Sequence, residues 1–101
     1  MNGLACIGAL KALGEESRLR MLRLLYRRPM SVNEIAEALE IAQPSVSKHL
    51  RILHGAGLLE IEKCGRQRRY VVNAKLKSQA AESGKMLDLG CCCFRLDKLP
   101  R

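Results

Sequence analysis

The chain has 101 residues, 48% of them hydrophobic and 28% charged, which is the makeup of one folded domain and argues against global disorder. With no Trp, one Phe (Phe94) and two Tyr (Tyr26 and Tyr70), its core has to be aliphatic. A formal charge of +8 at pH 7 points to polyanions, nucleic acid first and an anionic membrane surface second. No apolar run approaches the roughly 20 residues that a membrane span needs.

Leu4, Ile7, Leu10 and Leu13 recur at helical spacing, with Ala5, Gly8, Ala9 and Ala12 between them, and predict a short helix over residues 3–13. The same segment lacks the basic opening and long apolar run of a secretory leader, so a cytoplasmic setting with reduced thiols is expected. Gly14 interrupts this helix. A second begins near Glu15 and Glu16, carries Leu19, Leu22 and Leu25 inward, and stops at Pro29. Ser31-Val32-Asn33-Glu34 has the spacing of a capping box and opens a third helix with Val32, Ile35, Ala36 and Leu39 on its inner face. A tight turn over 40–42 leads to a fourth helix, opened by Gln43-Pro44, with Val46, Leu50 and Leu53 buried and Gly55 as its left-handed terminator. Residues 58–63 and 67–72 alternate like strands about the turn Cys64-Gly65-Arg66, a β-hairpin. A fifth helix is expected from about Ala74 to Leu89, with Leu76, Ala80, Ser83 and Leu87 along one stripe and Gly90 as its end.

Two short helices joined by a tight turn and followed by a hairpin make a winged helix-turn-helix. The expected fold is therefore mainly α (α+β), about five helices with a two-stranded wing, in a single domain over 1–101. Within it, 31–55 is the helix-turn-helix, 58–73 the wing and 91–101 a cysteine-bearing tail. A helix that enters the major groove needs small polar and basic side chains on its exposed face. Gln43, Ser45, Ser47, Lys48, His49 and Arg51 supply them, with packing or capping as the alternative for His49. Arg66, Gln67, Arg68 and Arg69 at the hairpin tip suit phosphate or the adjacent minor groove of double-stranded DNA. No spaced C-x-x-C, paired carboxylates or base beside a nucleophile suggests an enzyme.

The five cysteines are an odd number, and Cys91, Cys92 and Cys93 are consecutive, which is a poor disulfide framework and suits a soft ion. Trivalent arsenic prefers three thiolates with one open side, whereas zinc usually takes four ligands. Consecutive side chains diverge on a helix and alternate on a strand, so they converge only if the chain turns sharply, which Gly90 permits. Alternatively, two of them bind with a thiol from elsewhere. Arg95 and Lys98 are placed to lower the thiol pKa values, while Cys64 in the wing turn reads as a bystander. Incidental free thiols are the alternative for the whole cluster.

The segments Leu13-Gly14-Glu15-Glu16-Ser17-Arg18-Leu19-Arg20-Met21-Leu22, Pro44-Ser45-Val46-Ser47-Lys48-His49-Leu50-Arg51-Ile52-Leu53, Gly55-Ala56-Gly57-Leu58-Leu59 and Gly65-Arg66-Gln67-Arg68-Arg69-Tyr70 together resemble the ArsR/SmtB family of bacterial metal-responsive repressors. The resemblance spans roughly residues 8–88. It implies a homodimer joined through the terminal helices, here 1–14 and 74–90, and an operator released on binding a metal ion or metalloid. It places Cys6 near the last helix across the dimer, which makes Cys6 the candidate for a further thiol ligand beside the cluster. One sensory site of the family uses cysteines at the start of the third helix, where this chain has Asn33-Glu34-Ile35-Ala36-Glu37. Another uses Asp and His on the last helix, and residues 74–89 contain no His. The C-terminal cluster resembles that of some arsenite-responsive members. Trivalent arsenic is thus the expected inducer. Antimony, mercury, cadmium, lead, a thiol redox signal and a regulator without sensing remain the alternatives.

Overall fold

A computed structural model of the chain describes residues 3–77 and 86–96, without the side chain of Phe94. Four α-helices come first: α1 (Gly3–Leu13), α2 (Glu16–Arg27), α3 (Val32–Leu39) and α4 (Gln43–Gly55). The antiparallel hairpin of β1 (Leu59–Cys64) and β2 (Gln67–Val72) follows, then a 3-10 turn over Ala74–Leu76. A second antiparallel hairpin pairs β3 (Met86–Asp88) with β4 (Cys93–Arg95). The winged helix-turn-helix expected from the sequence is present.

Each helix is bounded by local chemistry. Glu15 caps α2, its carboxylate accepting the Arg18 amide at 3.1 Å. Ser31 and Glu34 form the full capping box of α3: the Ser31 hydroxyl accepts the Glu34 amide at 3.3 Å, and the Glu34 carboxylate accepts the Ser31 amide at 3.1 Å. That last bond is the main cause holding the Glu34 carboxyl below the ordinary glutamate range. Because Ser31 is only 8% exposed, its hydroxyl has little water to fall back on. Ser31→Ala is expected to cost about 1 kcal/mol of stability, read as a lower urea midpoint at unchanged slope.

The turn between α3 and α4 is closed by Glu40 at φ 56, and the Ile41 amide donates to the Ala36 carbonyl at 3.1 Å. At the far end of α4 the terminator is displaced from its expected place. Gly55 is the last helical residue, and Gly57 takes the left-handed conformation at φ 81. The Leu58 amide then bonds back to the Leu53 carbonyl at 3.1 Å and aims the chain into β1.

The core is aliphatic, as the composition requires. Met21, Leu22, Leu25, Ile35, Val46, Leu50, Leu53 and Leu58 are fully buried, joined by Leu59 and Val72 from the wing. α1 packs through its small side, Cys6, Ala9 and Ala12, together with Leu13. The larger side chains of its apolar stripe face outward, with Leu4 84%, Ile7 52% and Leu10 43% exposed.

The fifth helix expected over 74–89 is not formed at either described end. Asn73 accepts the Lys75 amide at 3.0 Å and starts a single 3-10 turn, after which Lys77 is extended and bridges to Leu87. Leu87 and Leu89 are both buried, two residues apart, which is a strand alternation and not a helical stripe. Ala80 and Ser83 of the expected stripe lie outside the described residues. The Tyr26 hydroxyl donates to the Met86 carbonyl at 2.6 Å, which docks this second hairpin against α2. Among the described residues no helix is long and apolar enough to cross a membrane.

Candidate nucleic-acid interface and thiol cluster

α4 buries Val46, Leu50 and Leu53 and leaves Gln43, Ser45, Lys48 and Arg51 exposed, with Ser47 half-buried. Pro44 stands in its first turn, and no side chain caps its N-terminus. Pro44 has no amide proton and the Val46 amide donates to the Ala42 carbonyl at 3.1 Å, so the Gln43 and Ser45 amides are the first-turn donors that helix geometry leaves for an outside acceptor such as phosphate. His49 is half-buried, and its Nδ1 lies 3.7 Å from the Glu15 carboxylate at the N-cap of α2. Burial pushes the Glu15 carboxyl up, but backbone bonds from Ser17 and Arg18 and the nearby charges of His49 and Arg18 outweigh it and leave it lowered. His49 is thus placed between helices, the packing alternative that the sequence left open.

The wing is a tight hairpin in which Cys64 pairs with Gln67 across the two-residue turn Gly65-Arg66, Gly65 having φ 62. A glycine first in such a turn matches the strand twist. Arg66 and Arg68 are exposed, and Arg69 is half-buried with its Nε lacking a partner. Two residues that the sequence reading did not single out hold the wing in place. Met30 and Tyr70 exchange backbone hydrogen bonds of 3.0 and 2.8 Å, so β2 is pinned to the segment that starts the helix-turn-helix. The sequence signal for this bridge is slight: one extended residue between Pro29 and the Ser31 cap.

The cysteines lie on the second hairpin and α1. The Leu89 amide donates to the Cys92 carbonyl at 2.9 Å, so the ladder runs on past β3 and β4 and leaves Gly90-Cys91 as a two-residue turn. Gly90 has φ 87, the sharp turn that convergence of the cysteines demanded. Cys91 reaches back to α1, where its sulfur is bonded to that of Cys6 in the same chain, with Cα atoms 6.5 Å apart. Cys92 is half-buried, with its Sγ 3.8 Å from that of Cys91. Cys93 and Cys64 are exposed thiols.

Cys93 pairs across the hairpin with Asp88. Desolvation, and then the Asp88 carboxylate, push its thiol above the usual cysteine range. At Cys93 this is opposite to the lowering expected from Arg95, which is exposed at the end of β4. Lys98 lies outside the described residues. With Cys6 and Cys91 bonded to each other, no group of three His, Cys, Asp or Glu among the described residues stands ready to hold a metal ion.

The family described as bacterial regulatory protein, arsR family, matches residues 15–60, from the N-cap of α2 into β1. The chain is 35% identical over 85 residues to the HTH-type transcriptional regulator NmtR of Mycobacterium tuberculosis, covering 80% of this chain and 71% of that protein. It is 32% identical over 94 residues to a probable mercury resistance operon repressor of Streptomyces lividans, covering 85% and 73%. Over 50 residues it is 42% identical to the arsenic resistance transcriptional regulator ArsR1 of Pseudomonas putida, covering 48% and 39%. Among solved structures, it superposes with TM-score 0.67 and 28% identity on the homodimeric winged helix-turn-helix DNA-binding domain of a possible ArsR-family regulator from Mycobacterium bovis, covering 70% of this chain and 66% of that one.

Proposed function

The chain belongs to the ArsR family of bacterial regulatory proteins, and from that premise we propose that it is a cytoplasmic, homodimeric repressor that leaves its operator when trivalent arsenic binds its C-terminal thiolates. The observation that carries this reading is the turn at Gly90, which sets the sulfurs of Cys91 and Cys92 3.8 Å apart at the molecular surface. Two thiolates on one tetrahedral zinc ion at about 2.3 Å stand roughly 3.8 Å apart, and a pyramidal three-thiolate ion holds them somewhat closer, so once Cys91 is reduced these two sulfurs are within reach of one soft ion. The likeness to relatives named for mercury and arsenic resistance supports a thiol-seeking signal. Antimony, cadmium and lead share that chemistry.

In this reading Gln43, Ser45, Ser47, Lys48 and Arg51 of α4 meet the major groove, while Arg66, Arg68 and Arg69 meet the flanking backbone. His49 positions α4 from within. The exposed Leu4, Ile7 and Leu10 of α1 form an apolar face that a second copy covers. A dimer reads half-sites about 34–36 Å apart, so a small change in the dimer contact misaligns both recognition helices. Cys91 of the C-terminal hairpin lies against Cys6 of α1, so ligand bound by the reduced thiols there acts on that contact. Release then follows from tighter binding of the ion to the dimer shape that fits DNA poorly.

The Cys6–Cys91 bond favours one second reading, a thiol redox signal. In it the two thiols give two electrons and two protons to an oxidant, and no metal is needed. Fluorescence anisotropy of a labelled fragment of the protein's own promoter separates the two. Arsenite under reducing conditions is expected to release the wild type and not a Cys91→Ser, Cys92→Ser, Cys93→Ser triple variant. Tight binding of both through the titration would defeat the arsenic reading. Release by a peroxide alone would favour the redox one.

A further inference from the structure

We infer that the ion site is made by Cys6, Cys91 and Cys92 of a single chain, with Cys93 outside it, and that it takes a soft three-coordinate ion of the trivalent arsenic type. This rests on the thiol-sensing reading above and assigns its ligands. Cys6 comes from the inner face of α1, 3% exposed, and its Sγ lies 3.6 Å from the Leu89 carbonyl. It meets Cys91 directly, and Cys91 meets Cys92 at 3.8 Å, so three sulfurs are strung together at one end of the molecule.

Strand alternation explains why the third consecutive cysteine is excluded. Cys92 stands opposite Leu89, whose side chain is buried with that of Leu87, and Cys92 packs against the same core. Cys93 is one residue on, opposite Asp88, on the other face of the hairpin. The Asp88 carboxylate is itself occupied, accepting the Gly90 amide at 2.8 Å. Sulfur from a core-facing position and sulfur from a turn therefore share one side, and the exposed Cys93 does not.

The bonded pair and the loaded site are alternative states of the same sulfurs. A dithiol reductant opens the Cys6–Cys91 bond, giving up two electrons and two protons and becoming a disulfide itself. Arsenous acid then forms three As–S bonds as three As–O bonds break and three waters leave, with no electron transferred. Oxidation thus closes the site and reduction opens it.

The test uses the full chain, with a phosphine reductant that does not compete as a thiol. Arsenite is titrated while As–S absorption is followed, and X-ray absorption at arsenic counts the sulfur neighbours. The reduced wild type and Cys93→Ser are expected to bind equally, with three sulfurs on arsenic. Cys6→Ala and Cys92→Ser are expected to bind about 100-fold more weakly or worse, because each loses a tethered ligand. The oxidised wild type is expected not to bind. Equal binding by Cys6→Ala and loss in Cys93→Ser would overturn the assignment and leave the arsenic reading standing. No binding by the reduced wild type would sink that reading and the assignment with it. Should Cys6→Ala fold poorly, the sulfur count in the wild type and in Cys93→Ser still decides, since two sulfurs in Cys93→Ser would reject the site. Mixing Cys6→Ala chains with Cys92→Ser chains tests the single-chain claim: restored binding would show that the ligands come from two subunits, and none is expected.

Discussion

Leu50→Ala is expected to cost about 3 kcal/mol of folding stability. Leu50 is fully buried on the inner face of α4 and belongs to the cluster that joins Ile35 of α3, Leu22 and Leu25 of α2 and Val72 of the wing. Truncation loses the transfer of the side chain out of water and leaves a void that the surrounding helices fill only in part. A domain of this size has about 5–15 kcal/mol in all, so the loss is a large share of it. Urea unfolding followed by circular dichroism measures it. The midpoint should fall with the slope unchanged, since the surface exposed on unfolding is nearly the same. A loss under about 1 kcal/mol would mean that α4 settles inward to close the gap, and that its outer face is not rigidly set by the core.

The second large effect is expected in DNA binding and not in stability. Arg66 and Arg68 are exposed on the wing, so the double variant Arg66→Ala, Arg68→Ala should unfold within about 4 °C of the wild-type temperature, as surface changes of small free energy do. Each phosphate contact removed lowers the slope of log K against log salt by about 0.9. Two lost contacts therefore reduce it by roughly 1.8, and affinity at low salt falls by at least about tenfold. Anisotropy titrations at several salt concentrations read both numbers. An unchanged slope would show that the wing arginines do not touch the backbone, and would move the electrostatic contact to Lys48 and Arg51. The comparison is informative because α4 is untouched, so any residual sequence preference comes from its exposed residues.

Much of this architecture was legible because it is governed by local chemistry. The capping box at Ser31 and Glu34, Pro44 in the first turn of α4 and the alternation of the wing strands each fix an element with a few residues. The segment after Asn73 was misread for a physical reason. Leu76 and Leu87 fit one helical stripe, but Leu87 and Leu89 fit a strand equally well, and periodicity over so few residues does not separate the two. Tertiary context decides here, through the Lys77–Leu87 bridge and the Tyr26 bond to Met86. The site was legible in part. Cys6 is the further thiol that the sequence offers the cluster; the family resemblance sets it near the last helix across a dimer, and the structure brings it to Cys91 of its own chain. That pairing joins residues 85 positions apart, which no local pattern encodes. The separate fates of Cys92 and Cys93 depend on hairpin register, which follows from the turn at Gly90 and was hidden while that region read as helix.

The wing has a second consequence, for the behaviour of the protein in a crowded solution. β1 is paired with β2 along one side, and among the described residues no strand lies along the other. A bare strand edge is a template on which another molecule can add a strand and begin a fibre. Glu60, Glu62 and Lys63 are exposed on β1, and stacking wings edge to edge would crowd and desolvate those charges. The two glutamates subtract from the attraction of an otherwise basic hairpin for phosphate. Charge on that edge is also expected to hinder the hairpin from seeding a polymer, a use for acidic residues on an otherwise basic element.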